Sequence, residues 1–238
     1  MGYIVKEFDE RLNEFLDTAQ QLFFQKGYAK TSVNDIIKQM DVAKGTFYHY
    51  FKSKIDLLDR LVERFTRKAV LAAKELVHRE NLNAVEKLNS FFAAIRDLKV
   101  ENKELMIMLM KVMYTDENLI FRHKMFKRNI EALAPEFAKI IRQGVEEGCF
   151  DPVDDRETAE MIFTMAMNVN ETVVALMLEM EKKPKNIDII EAKLKAYEKA
   201  IERLLGAPQG SFSLVERRII EIFRVDQKEQ EKIKEEKK

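Results

Sequence analysis

Residues 42–54 read Val42-Ala43-Lys44-Gly45-Thr46-Phe47-Tyr48-His49-Tyr50-Phe51-Lys52-Ser53-Lys54, and this stretch decides the fold. At about 100° per residue on a helix, Ala43, Phe47 and Phe51 fall together and face a core, which leaves Gly45, Thr46, Tyr48 and His49 on the opposite side. Packing gives no reason for an exposed face of Tyr and His. Just upstream, Thr31-Ser32-Val33-Asn34-Asp35 is a helix start: Thr31 or Ser32 can accept from a free backbone N–H, and Asp35 resembles the reciprocal acid of a capping box. That helix buries Val33, Ile36, Ile37 and Met40, and residues 41–45 interrupt the pattern only briefly. Two short helices joined by a tight turn are implied.

Working outward, Phe8, Leu12, Phe15, Leu16, Ala19, Leu22 and Phe23 recur at helical spacing before Gly27, which suits a left-handed C-terminal cap. On the other side, Ser53-Lys54-Ile55-Asp56 is a second start signal, opening a helix with Leu57, Leu58, Leu61, Val62 and Phe65 inward. The residue types on the exposed face suit DNA. Gly45 lets backbone approach a surface, while Thr46, Tyr48 and His49 can donate to phosphates or touch base edges and thymine methyls. From Lys26 to Lys54 there are six lysines and two acids, a local charge of +4 in a chain whose 41 basic and 41 acidic residues cancel overall. Lys52 and Lys54 flank a helix start, where free N–H groups already favour an anion.

With Gly27-Tyr28, Thr31-Ser32-Val33, Ile36-Ile37 and residues 42–54 in this order, the segment from about 8 to 65 resembles the N-terminal domain of TetR-family transcriptional regulators. The resemblance implies that Lys44, Gly45, Thr46, Tyr48 and His49 occupy recognition-helix positions, that Thr31 and Ser32 sit at a phosphate-facing helix start, and that Lys54 meets a phosphate. Ala43 stands where Ser is common in the family. It further implies a C-terminal ligand-binding and dimerising domain, with the last two core helices of each subunit forming a four-helix interface. Here those helices are the ones at about 155–181 and 187–205, the first offering Met161, Ile162, Met165, Ala166, Val169, Val173 and Leu176 as an apolar face.

The whole chain reads as all-α. It has 7 Gly and 4 Pro in 238 residues, with long stretches rich in Leu, Met, Glu and Lys. Helices are expected at 82–98, 105–114 and 119–147, where Pro135 should kink the helix or begin a new one. The expected division is a helix-turn-helix domain at 1–52, a helical ligand-binding and dimerisation domain at 53–205 whose first helix connects the two, and 206–238 as a linker, extra helix and charged tail. Gly206 to Gly210 is the most linker-like stretch, and Ser213-Leu214-Val215-Glu216 offers a further capping box. Met106, Met108, Met110 and Met113, followed by Phe121 and Met125, supply more soft and aromatic surface than a small core needs, although core packing accounts for such residues as well. An apolar pocket lined by Met106, Met110, Met113, Phe121, Met125, Phe163 and Met167 is expected, with Asn168 or Asn170 as a polar handle.

Other chemistries find little material. A single cysteine, Cys149, excludes an internal disulfide framework and reads as a small apolar residue. Glu75 and His78 have the spacing of a di-iron ligand pair but no second copy, so no metal or cofactor is expected. No phosphate loop, nucleotide fingerprint or hydrolase signature is present, which argues against an enzyme. With no run of about 18 apolar residues and no signal-peptide pattern, neither membrane insertion nor export is expected, and the compartment is the cytoplasm. The reading is a ligand-responsive repressor that binds a palindromic operator as a homodimer and is released by a hydrophobic or amphipathic effector. The alternative is a helical enzyme or carrier for an apolar molecule that uses the N-terminal helices only for packing.

Overall fold

The computed structural model describes residues 2–214 and 217–223, with the side chains of residues 2–7 and 218 outside that description. Ten α-helices and one 3-10 turn make up the described residues, without a strand. The chain forms one compact unit up to residue 68 and a second from residue 69 onward.

In the first unit, α1 (Gly2–Lys26), α2 (Val33–Met40), α3 (Lys44–Tyr50) and the first turns of α4 (Lys54–Val77) enclose an aromatic core. Phe15, Phe23, Ile36, Phe47, Phe51, Leu57, Leu58 and Leu61 are all buried. Gly27 ends α1 at φ +85, a left-handed position that glycine takes without a Cβ clash. Ser32 and Asp35 form the expected capping box at α2, and Ser53 accepts from the Asp56 N–H at the start of α4. The division between the two units falls inside α4, so this helix belongs to both.

The second unit is built from the end of α4, α5 (Ala84–Glu101), α6 (Lys103–Met113), the short turn at Asp116–Asn118, α7 (Leu119–Glu146), α8 (Asp155–Leu178), α9 (Asn186–Leu205) and α10 (Arg217–Ile222). Phe91 and Phe92 of α5, Phe137 of α7 and Phe163 of α8 meet edge to face, with centroids 4.8–5.8 Å apart. Such pairs add about 0.5–1.5 kcal/mol beyond the area they bury. Helix ends are tied down by side chains: the Lys87 ammonium donates to the Val77 carbonyl at the end of α4, and Glu147 accepts from the Ala84 N–H at the start of α5. One described helix, α8, has the length and apolarity of a membrane span, with 22% of its most apolar window buried within the chain.

Of the two outcomes expected at Pro135, a new element does not occur: α7 runs through it as one helix of 28 residues. Nor is the stretch after Gly206 a free linker. Gly210 N–H donates to Glu202, Asn89 holds Ser211 and Ser213, Leu214 N–H donates to Glu198, and Phe212 is buried against Phe150. The chain is thereby strapped across α5 and α9. The capping box expected at residues 213–216 falls partly, and the charged tail wholly, outside the described residues.

Gly144 shows how closely this core is packed, because a Cβ there would overlap the Phe150 ring. Gly144→Ala is expected to destabilise the protein by about 1–3 kcal/mol, the usual range for overpacking, seen as a lower midpoint in urea denaturation. An unchanged midpoint would show that Phe150 has room to move aside.

Candidate nucleic-acid interface

The candidate interface is carried by α3, which is too short to be stable alone and is held by what it buries. Phe47 and Phe51 pack edge to face on Phe15 of α1, at 5.9 and 5.6 Å between centroids. Before it, Asp41 closes α2 in the left-handed region at φ 50, a conformation that Asp tolerates better than most residues, and its N–H donates back to Ile37 and Lys38. This turn fixes the angle between α2 and α3. Ala43 does not join the core face as its helical position predicts. It is the N-cap of α3, extended and exposed, because the helix begins one residue later.

With Phe47 inward, Lys44, Gly45, Tyr48 and His49 are exposed and Thr46 is half-buried. Tyr48 keeps 51% of its surface, and the Lys44 ammonium lies 5.9 Å from the centre of its ring. His49 is held at the far end by Phe8, which meets it edge-on at 6.0 Å and stacks on Tyr50 at 4.6 Å. The first helix therefore orients the recognition face, a role not evident from the spacing of Phe8 alone. Gly45 has open space where a Cβ would stand, so nothing inside the protein requires glycine there.

Two residues expected to meet phosphates are turned to structural work. Thr31 is 1% exposed, and its hydroxyl donates toward the Gly27 and Leu22 carbonyls at 2.9 and 3.3 Å, closing the end of α1. Lys54 donates from Nζ to the carbonyls of Tyr28 and Thr31, each at 2.9 Å, and sits 4.2 Å from the centre of the Tyr28 ring. Partial burial holds its pKa below the usual lysine value. Gly27-Tyr28, read from sequence as a helix end, is thus also the seat of Lys54. Ser32 remains exposed, with its hydroxyl shared with Asp35. Hydrogen bonds from Ser32, reinforced by Lys26 at 2.9 Å, hold the Asp35 carboxyl well below the usual carboxylate range.

The second unit carries the residues expected around a ligand. Met106 and Met113 are buried, whereas Met110, Phe121, Met125, Phe163, Met167 and Asn170 are half-buried. Asn168 is exposed, and its amide lies 3.4 Å from the Thr164 carbonyl of its own helix, which places it away from the inner faces. Sequence reading passed over Arg122. Its guanidinium is buried, donating to the Met113 carbonyl and to Glu171 at 2.7 Å each and lying over the Tyr114 ring at 4.8 Å. It joins the end of α6 to α8. Burial pushes the Tyr114 hydroxyl up to about 12. Cys149 is half-buried with Sγ 3.8 Å from Glu147, which, after desolvation, pushes the thiol up. Among the described residues no group of His, Cys, Asp and Glu is placed to hold a metal ion.

Residues 15–61 match the model of bacterial regulatory proteins of the tetR family, and residues 99–198 match the tetracyclin repressor-like C-terminal domain. The chain belongs to the TetR family. It is a transcriptional regulator in a family of DNA-binding regulatory proteins, all-α, with a helix-turn-helix head followed by a helical C-terminal domain. Among its relatives, the transcriptional repressor KstR2 of Mycobacterium tuberculosis is 26% identical over 64% of this chain and 75% of its own. The fatty acid metabolism regulator protein of Bacillus subtilis is 26% identical over 71% of this chain and 84% of its own. A TetR-family regulator from Syntrophomonas wolfei shares the fold at a TM-score of 0.59 and 24% identity, covering 83% of this chain and 97% of that one.

Gly45 separates folding from recognition. Glycine inside a helix is less stable than alanine by about 0.5–1 kcal/mol. Gly45→Ala is therefore expected to raise the melting temperature slightly; the added methyl stands on the exposed face of α3, and weakened DNA binding is the outcome expected of a residue in the interface. Melting and fluorescence anisotropy on the same sample check both signs, and undiminished DNA binding would remove Gly45 from the interface.

Proposed function

We propose that this regulator is a repressor that binds a palindromic operator as a homodimer, and that a hydrophobic or amphipathic small molecule releases it. The observation that carries the DNA reading is the outer face of α3. Lys44, Gly45, Tyr48 and His49 are exposed, and the helix bearing them is anchored by the burial of Phe47 and Phe51 against Phe15. Thr46 and Ser32 complete the surface, with Lys52 exposed beside the start of α4. Backbone contacts of this kind set register, and side chains of α3 in the major groove read bases. Lys54 and Thr31 then act by shaping the loop behind α3. Working on DNA places the protein in the cytoplasm, and no catalytic role is proposed.

Support for the dimer comes from α8 and α9. Met161 keeps 52% of its surface and Ile189 keeps 47%, Met165 and Val169 are half-buried, and 22% of the most apolar window of α8 is buried within the chain. A second copy would cover it, and two heads held at fixed spacing match two half-sites about 34–36 Å apart. Support for an apolar effector comes from the half-buried Met110, Phe121, Met125 and Met167, soft surfaces left incompletely packed inside one unit. The printed role of the Bacillus subtilis relative, regulation of fatty acid metabolism, agrees with such a ligand. To release DNA, the effector has to bind the DNA-incompetent state more tightly.

Salt dependence tests the DNA contacts. Lys44→Ala is expected to lower the slope of log K against log salt by about one, whereas Thr31→Val lowers the melting temperature and leaves the slope unchanged. The reverse pattern would reassign both residues. Met165→Glu combined with Val169→Glu is expected to yield monomers that bind operator weakly, and sedimentation showing an intact dimer would move the interface elsewhere.

A further inference from the structure

Helix α5 lays a stripe of Leu88, Phe92 and Ile95 toward the core, and the next position on that stripe is Lys99. Leu88 is fully buried, and Phe92 and Ile95 pack against the same core. Lys99 is half-buried, and it has no hydrogen bond or ion pair among the described residues. Other interior cations of this unit are engaged. Lys87 donates to the Val77 carbonyl, and Arg122 donates to Met113 and Glu171. An unpaired ammonium among apolar side chains is unfavourable, and loss of hydration holds its pKa below the usual value.

The register of the helices shows what lies at its level. Helices α5 and α7 run antiparallel, with Ala84 tied to Glu147 and Phe91 against Phe137. Two turns beyond Phe91, Lys99 therefore comes level with Ile130. Helices α7 and α8 are paired in the same way by Arg142 with Asp155, Phe137 with Phe163 and Arg122 with Glu171. The level of Ile130 falls between the last two of these, where α8 carries Met167 and Asn170. Phe126 lies one turn from Ile130 on α7, and Met110 lies one turn before Met113 of α6, whose carbonyl accepts from Arg122; all five side chains are half-buried rather than closed. The zone is bounded at one end by the packed rings of Phe91, Phe137 and Phe163, and at the other by buried Arg122.

We propose that Lys99 is the anchor for an acidic head group, and that the effector is an amphipath with a single carboxylate and an apolar body seated among Met110, Phe126, Ile130 and Met167. This rests on the effector reading above and narrows its chemistry. A carboxylate brought to Lys99 gives the ammonium the partner it lacks, in surroundings where a charge-assisted hydrogen bond is stronger than in water. A neutral ligand leaves the ammonium unpaired, and a cationic one meets repulsion.

The test is calorimetric titration of the full-length protein with decanoate, decanol and decylammonium, each below its aggregation threshold. The parent is expected to bind decanoate at least about tenfold more tightly than decanol, and decylammonium least. Lys99→Met should lose that preference while still binding decanol, Lys99→Gln should behave likewise, and Lys99→Arg should retain the preference. Melting of Lys99→Met at or above the parent temperature is expected, since an unpaired interior charge is removed. Equal binding of decanoate and decanol by the parent, or undiminished decanoate binding by both neutral variants, would overturn the role of Lys99 and leave an apolar effector site standing. Binding of none of the three would overturn that site, and the anchor with it.

Discussion

A seven-residue helix does not hold its shape in water, so everything proposed for α3 depends on the burial of Phe47 and Phe51 against Phe15. The two rings, each edge to face with Phe15, set the rotation of the helix about its own axis. Once Phe47 is inside, Tyr48 and His49 have to be outside. The rest of the head serves that arrangement. Asp41 sets the turn into α3, Phe8 braces its far end, and Lys54 ties the start of α4 to the loop that follows α1.

The last contact changes how the basic character of this segment is understood. A lysine near a helix start is an economical guess for a phosphate contact, and Lys54 is near one. Its ammonium is nevertheless occupied by the Tyr28 and Thr31 carbonyls, each at 2.9 Å. Thr31 repeats the lesson, since a hydroxyl suited to phosphate is also suited to the carbonyls at the end of α1. Lys44 and Lys52, which are exposed, are the better candidates for charge presented to DNA.

Local chemistry made much of this legible. The helix starts at Ser32, Ser53 and Asp154 are signalled by side chains that cap the helix they begin, and the breaks at Gly27, Gly148 and Gly206 by residues free to adopt positive φ. What stayed hidden depends on partners far along the chain. Asn89 and Glu198 turn a Gly-Pro stretch into a strap, and no pattern within residues 206–214 announces either. Arg122 and Lys99 look like any surface cations until their helices are set beside one another. In the same way, α7 continues through Pro135 where an isolated helix would break, with Leu133, Ala134, Phe137 and Ala138 around it buried in the core.

Central to the account is that the face of α3 freed by Phe47 reads a two-fold DNA site. The most direct measurement is selection of duplexes from a random pool by the full-length protein, followed by footprinting of those retained. The account predicts enrichment of one palindromic sequence, with two protected half-sites on the same side of the duplex one helical turn apart or a multiple of it. Retention without sequence enrichment, or protection of a single unpaired half-site, would contradict it.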